Sequence, residues 1–443
     1  LLKTMKEAED LIYKSYLRAI NNIIETDDAL VKKPNLTREL LNLLNDPDNG
    51  QKFILVTGSK GKGSTARCIS SLLGYLGFKV GLFTSPHLVN FNERIRINGV
   101  AISDQDFIRL SNKVVEPFHK IEKRLSSSEY QGPIGISLAI AAMYFKENKT
   151  DINVIECGRG GKFDDTNILN NEWAVITPIM EEHITQLGPT IDDIISHKLG
   201  IIKPATKYVY ISKQDELLNI KAEIKMNNAS YYGEDFRSSN VEVRSDGTLF
   251  DVKTKKWTYA HIKLPLLGGF HAINVATAIQ VCEDFNQKPI NNQTVNRCFS
   301  SLNWPGRCEI IDYNPTVIID GAINEKTAKY VQELLDHFKG KTIVSIVGVP
   351  ANKDYKGVIK VVSQFSKKVI ITKPDISHLI FPTDAKEFAE SLLIEANETD
   401  LLAEAVQLAK AQQSVDVILI VGTQTLIANA KRIWGQTLLD IGL

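Results

Sequence analysis

From Phe53 onward the chain alternates between short apolar, β-branched runs and longer stretches whose apolar residues lie three and four positions apart. FILVTG, KVGLFTSP, INVIECG, WAVITPI and YVYIS each read as a buried strand ending in a polar or glycine-rich loop. Between them, segments such as GISLAIAAMYFK (135–146) carry helical spacing. This alternation predicts the α/β class, a mostly parallel sheet with helices on both faces, with ligands gathering beyond the carboxyl ends of the strands. A second α/β pattern follows SLNWPGRCEIIDYNP. There TVIIDGA, KTIVSIVGVP, KKVIITKPD and DVILIVGT alternate with helical stretches and close on TLIANAKRIWG. Pro305 and Gly306 break any continuing element, which predicts a boundary at Trp304. Over 228–262 polar and aromatic residues alternate irregularly, which predicts a small antiparallel excursion. No internal repeat or low-complexity segment is evident.

Length agrees with this division. A chain of 443 residues exceeds the size at which one core stops growing. The expected units are 1–302, a hinge at 303–308, and 309–443. The 52 basic and 52 acidic residues cancel, so no global field favours nucleic acid or an anionic membrane. No apolar run reaches the roughly 18 residues needed to span a bilayer. The opening LLKTMKEAEDLIYKSY interleaves charges with helical periodicity and does not read as a secretory signal. Five scattered cysteines without a CxxC pair argue against a disulfide framework or zinc site and for a reducing cytoplasm.

The stretch VTGSKGKGST, Val56 to Thr65, introduces chemistry. Glycines let the backbone turn with its N–H groups inward, and a lysine adds a point charge, which together make a phosphate cradle. A glycine-rich turn with solvated lysines is the bland alternative. The preceding strand and the following helical TARCISSLLGYLGF favour the cradle, because a helix amino end attracts anions. The candidate ATP contacts are Gly58, Ser59, Lys60, Gly61, Lys62, Gly63, Ser64 and Thr65. Lys62 is placed at the terminal phosphates, and Ser64 or Thr65 at phosphate or metal. Such cradles serve kinases, motors, switches and ligases alike.

The next stretch, FTSPHLVNFNERIRINGVAIS, narrows the choice. With the loop, it resembles the folylpolyglutamate synthase and dihydrofolate synthase family of the Mur ligase superfamily, whose signatures run GTNGKGS and TSPHL…FNERIRING. ECGRGGKFDDTN resembles the family's EVGLGGRLDATN. ITPIMEEHITQLGPT and SHKLGIIKP resemble its metal-histidine and modified-lysine segments. LPLLGGFHAINVATAI, WPGR, IIDGAIN and ANKD resemble its linker, hinge and carboxy-terminal signatures. The similarity runs in family order over most of the chain from Lys52.

The resemblance implies a P-loop ATPase-like amino-terminal domain and a Rossmann-like carboxy-terminal domain. It implies an ATP-dependent ligase that joins an amino acid, glutamate in the family, to folate, dihydropteroate or a related acid through an acyl phosphate. By position, Ser85, Glu156 and His183 would ligate magnesium. Lys198 matches the lysine that is carbamylated in the family and helps hold a second magnesium. Lys62, Glu156, His183 and Lys198 form the implied catalytic set. Asn274, Arg307 and Asp320 match nucleotide contacts, and His87, Asn92, Arg94, Lys353 and Asp354 match substrate contacts. Read on their own, His183 and Lys198 are surface groups, and Arg307 and Asp320 a hinge salt bridge.

Four departures stand out. Ile323 replaces the histidine of DGAHN, and Pro-Ile-Gly-Ile replaces a Phe-Glu pair before the helix near Gly135. Lys162 replaces the arginine of GGR, and Lys60 an asparagine in the phosphate loop. The catalytic metal and phosphate residues are kept while those around the acceptor and the nucleotide have drifted, which suits the same chemistry on a different acid. The alternatives are a ligase for a non-folate acid, a P-loop nucleotide-binding protein without ligation, and a non-catalytic member that only binds nucleotide. The expected partners are small molecules, with no nucleic acid or membrane, and the expected state is a monomer.

Overall fold

The computed structural model describes residues 1–225 and 228–443. Eight strands form the first sheet: β1 (Phe53–Thr57), β2 (Val80–Phe83), β3 (Ile95–Ile97), β4 (Val100–Ala101), β5 (Ile152–Glu156), β6 (Trp173–Ile176), β7 (Tyr208–Ile211) and β8 (Ala229–Tyr231). Their order is β4-β3-β2-β5-β1-β6-β7-β8, parallel from β2 to β8, with β3 and β4 antiparallel at one edge. The apolar runs are continuous because both faces are covered. On β1, Phe53 and Leu55 enter one core with helices Met5–Ala19, Pro34–Leu43, Asp104–Glu122 and Pro133–Glu147. Ile54 and Val56 enter the other, with helices Lys62–Tyr75 and Gly269–Asn286. Side chains two residues apart share a face, so this strand splits cleanly between two layers.

The register sets the site. Val56 lies opposite Glu156 on β5 and Val175 on β6. The glycine loop after β1, Glu156 at the end of β5 and Thr177 after β6 therefore meet at one carboxyl edge.

Three further strands, β9 (Arg237–Arg244), β10 (Gly247–Lys253) and β11 (Thr258–Leu264), form an antiparallel sheet. The antiparallel excursion is thus later than the alternation suggested, since Ala229–Tyr231 pairs in parallel with β7 instead. The third sheet contains β12 (Glu309–Asp312), β13 (Thr316–Asp320), β14 (Ile343–Gly348), β15 (Lys368–Ile371), β16 (Glu395–Glu398) and β17 (Val417–Gly422), in the order β12-β13-β17-β14-β15-β16. Only β12 runs antiparallel. The sequence pattern did not mark β3, β4, β12 or β16. β16 reads EANE, and a polar edge strand has no alternation to detect.

Where the third sheet begins, Lys431 and Glu309 form a buried ion pair, 0% and 8% exposed. Glu309 Oε2 also accepts the Gly306 N–H at 3.1 Å, and Lys431 Nζ reaches Asn303 Oδ1 at 3.4 Å. Removing one member of such a pair strands a buried charge. Lys431→Met should cost ~3–5 kcal/mol in urea unfolding, and adding Glu309→Gln should recover most of that loss.

Candidate active site

The loop after β1 depends on two close approaches. Gly58 has φ +145°, and a Cβ there would lie 1.9 Å from Thr177 Oγ1. Gly61 has φ +79°, and its Cβ would lie 2.9 Å from Asn274 Oδ1. Glycine meets both demands, of backbone angle and of space. Helix Lys62–Tyr75 then starts at Gly61 without a side-chain cap, so its first-turn N–H groups remain available to an anion. Beside them, Thr65 Oγ1 and Asn274 Nδ2 are buried and have no hydrogen-bond partner among the described residues. Buried polar atoms are ordinarily satisfied, and a nucleotide would satisfy these. Earlier in the loop the situation differs. The N–H groups of Ser59 and Lys60 donate to Pro178 O at 2.9 and 3.3 Å, which pins that half to the end of β6. The Lys60 side chain is exposed.

Two ammonium groups converge on one carbonyl. Lys62 Nζ donates to Gly58 O at 3.0 Å and Lys198 Nζ to the same oxygen at 2.8 Å. Lys198 also donates to Arg159 O at 2.7 Å and Glu182 Oε1 at 3.1 Å. It is fully buried, not a helix-surface lysine. Burial pushes its pKa down to about 8; the Glu182 carboxylate opposes this and the Lys62 charge adds to it.

Glu156 Oε2 accepts the Ser85 N–H at 2.9 Å. Its carboxylate oxygens lie 3.3 and 3.4 Å from where a Gly63 Cβ would stand, and Trp304 Cζ2 lies 3.3 Å from that point. Burial pushes Glu156 up to about 7, against the pull of Lys62, the Ser85 N–H, Arg307 and Arg94. His183 is exposed, at φ +49°, with Nε2 4.0 Å from Glu182 Oε2. The fold thus gathers Lys62, Lys198, Ser85 and Glu156, and His183 adjoins them only through Glu182. Among the described residues no group of three or more His, Cys, Asp or Glu side chains is placed to hold a metal ion. Magnesium draws many of its ligands from phosphate and water, so Glu156 and Ser85 at the cradle fit it without a protein cage.

The second signature folds around Arg94. Its Nε donates to His87 Nδ1 at 2.9 Å, its Nη2 to Tyr13 Oη at 3.3 Å, and its guanidinium lies 4.5 Å from the Phe91 ring centroid. Burial, with the Arg94 charge, pushes His87 down to about 4, so it is neutral and accepts. Asn92 is buried and donates to Ile102 O and Asp104 Oδ1 at 2.8 and 2.9 Å, which commits it to the frame. Glu93, which the motif alone did not single out, accepts the N–H groups of Leu88, Val89 and Asn90 at 2.9, 2.9 and 2.7 Å. Its signal was available: Asn90 and Glu93 have capping-box spacing. Glu182 and Thr177 had no comparable signal.

On the far side of the hinge, Arg307 is exposed. Asp320 Oδ2 accepts the Cys308 N–H and S–H at 3.0 and 3.1 Å, and burial raises its pKa while Cys308 and Arg307 hold it back. Lys353 is exposed, and Asp354 accepts the N–H groups of Gly357 and Glu325 at 3.0 and 2.9 Å. Ile323 packs against the core of the second α/β unit. At the start of helix Pro133–Glu147, Asp165 accepts the Gly135 N–H at 3.1 Å and the Thr37 hydroxyl at 2.8 Å. A Cβ on Gly135 would meet Thr37 Oγ1 at 2.0 Å. Lys162 is exposed, with its N–H on His197 O at 2.7 Å.

The Mur ligase middle domain matches residues 56–282, and the Mur ligase glutamate ligase domain matches 306–424. The dihydrofolate synthase/folylpolyglutamate synthase of Bacillus subtilis is 30% identical over 417 residues, covering 90% of this chain and 95% of its own. The chain belongs to the folylpolyglutamate synthase/dihydrofolate synthase family. The Mycobacterium tuberculosis enzyme of the same name is 30% identical over 360 residues, 76% of this chain and 74% of its own. Folylpolyglutamate synthase from M. tuberculosis, solved with ADP and AMPPCP, superposes with TM-score 0.79 at 24% identity, covering 95% and 99% of the two chains. The Thermotoga maritima folylpolyglutamate synthase superposes with TM-score 0.81 at 22% identity over 96% and 97%. These superpositions establish a shared fold across both α/β units.

Two outcomes follow for this family member. Gly58→Ala drives a methyl group into Thr177 and should weaken ATP binding at least ~10-fold by calorimetric titration. In the ligand-free protein, Glu156 keeps its proton between its usual 4.5 and about 7, where an unfolded chain releases it. Stability therefore falls as pH rises through that window, by up to ~3 kcal/mol in all. Glu156→Gln should remove that part of the slope in melts compared from pH 4 to 8.

Proposed function

We propose that the chain is an ADP-forming ligase joining an amino acid, glutamate by the naming of its relatives, to a carboxylate of folate, dihydropteroate or a related acid. The observation that carries this is the cradle itself: an open helix amino end, unpartnered Thr65 and Asn274, and Lys62, Lys198 and Glu156 converging beside them. The helix N–H groups would hold the terminal phosphates of ATP, with Lys62 turning from Gly58 O to the transferring group. Preorganised donors of this kind supply most of the stabilisation that phosphoryl transfer needs. Ser85 and Glu156 would hold magnesium, with His183 swinging in from the adjoining loop. The metal would neutralise charge on the phosphates. The acid's carboxylate attacks the γ-phosphorus, giving an acyl phosphate and ADP, and the amine then attacks the acyl carbon and expels phosphate.

Residues 303–308 would act as the hinge between 1–302 and 309–443. Closure would bring Arg307 and Asp320 to the nucleotide and Lys353 and Asp354 toward the amino acid, excluding water from the acyl phosphate. The chain would act as a monomer, and the five unpaired cysteines suit the cytoplasm.

Lys198 would carry a carbamate and help hold a second magnesium. A pKa of about 8 leaves a larger neutral fraction of the amine near physiological pH than an ordinary lysine has, and the neutral amine adds CO₂ with loss of a proton. Beside Gly58 O, Arg159 O and Glu182 the resulting anion needs a cation between them. With ¹³C-bicarbonate, a carbamate resonance should strengthen as pH rises toward 8 and be missing in Lys198→Ala.

A non-folate acid is the second reading. It is favoured by Thr37 and Asp165 closing over the helix start where relatives carry Phe-Glu, and by Ile323. ADP release, screened with dihydropteroate, folates and other carboxylates against several amino acids, decides between them. Acid-dependent release should fall at least ~100-fold in Lys62→Ala and Glu156→Gln. A signal from another acid with none from any pterin moves the acceptor and leaves the ligase. Turnover independent of every acid overturns ligation.

A further inference from the structure

Arg67 lies on helix Lys62–Tyr75, just beyond the phosphate cradle, and is 1% exposed. Its hydrogen-bond acceptors are all main-chain carbonyls. Nε donates to Asn303 O at 3.3 Å, at the start of the hinge. Nη2 donates to Ile441 O, Gly442 O and Leu443 O at 3.1, 2.9 and 3.1 Å. Those last residues follow helix Gln424–Ile433 of the second α/β unit and return to the first. There they run along the edge of the eight-stranded sheet. Ala101 N–H donates to Leu439 O at 2.7 Å, and Ile441 N–H to Gly99 O at 3.1 Å. Arg96, also buried, donates to Leu438 O at 2.6 Å. Gly99 at φ +82° admits this segment, since a Cβ would stand 1.7 Å from Gly442 O.

The chain therefore crosses between its two α/β units twice, at 303–308 and at 434–438, and one guanidinium touches the start of the first crossing and the segment 441–443 that follows the second. Two connections restrict rigid-body motion to rotation about the line through them. Arg67 links the first of these connections to the docked segment that follows the second. A buried guanidinium stripped of its acceptors costs several kcal/mol, so the returning segment stays docked while the units move.

We propose that Arg67 is a positioning residue for the ligase reaction. It fastens the phosphate-loop helix to the start of the hinge and to the returning segment, so that Arg307 and Asp320 arrive at the nucleotide in register with Lys62. This role rests on the ligase reading above. It accounts for a buried cation next to the cradle whose acceptors are main-chain oxygens of the hinge and the returning segment, and it gives segment 436–443 a positioning role in the ligase reaction.

The test compares Arg67→Met, Arg67→Lys, deletion of 436–443, and the deletion combined with Arg67→Met. In acid-dependent ADP release, Arg67→Met should lower kcat about tenfold with the KM for ATP changed less than about threefold, because the loop's own donors remain. The deletion should match that loss and add nothing to Arg67→Met, as expected for one coupled unit. Arg67→Lys, which keeps up to three donors, should recover part of kcat. Additive losses, or a lower melting temperature with kcat unchanged, overturn the proposal. If Arg67→Met does not fold, Arg67→Lys and the deletion decide by the same criteria. Hydrogen exchange at the Ala101 and Ile441 amides, measured without any acid, separates this from failure of the ligase reading. Rapid exchange in Arg67→Met supports the tether, and protection as in the parent overturns it.

Discussion

The site hangs on the carbonyl of Gly58, which receives both Lys62 and Lys198. That oxygen is presented inward only because Gly58 turns at a positive φ with no side chain between it and Thr177. From this point the loop is pinned by Pro178 on one side and released into an uncapped helix on the other. Two like charges on one acceptor are tolerable while Glu182 and the surrounding carbonyls share the load. The parallel register of β1 with β5 and β6 then brings Glu156 and Thr177 to the same edge.

The electrostatics separate the groups that hold shape from those kept in reserve. Asn92 donates to the Ile102 carbonyl and Asp104, while Glu93, Asp354 and Asp320 accept from backbone N–H groups, and so all four build the frame. Burial moves the pKa of Glu156 up and that of Lys198 down, each toward the physiological range. Thr65 and Asn274 retain unpaired atoms. Groups in this second set are where added charge or a bound phosphate changes the energy most, since perturbed and unsatisfied groups are stabilised by what they meet.

Much of the fold was readable along the chain. Continuous apolar runs such as FILVT and VILIVG are buried on both faces, and their period-two split between two cores is what central parallel strands require. Strands without such runs escaped: the Ile95–Ala101 hairpin, β12 and EANE at an edge. The cradle was legible because its glycines and lysine are adjacent in sequence. Lys198 was marked only by the family resemblance and Glu182 not at all, because Lys198 is buried against a carbonyl 140 residues away and Glu182 matters through its bond to Lys198. Arg67 carried no sequence signal at all, since its partners are backbone oxygens, which no residue type announces.

By itself, the sequence determined the strand–helix alternation, the phosphate loop and membership of a ligase family, because each rests on residues close together in the chain and on local backbone chemistry. Tertiary structure decided which polar groups are buried, which are left without partners, and where the chain crosses between its two units. Those properties arise from distances between remote segments, and the free energy of a charge or a hydrogen-bonding atom depends on what surrounds it in space rather than on its neighbours in sequence.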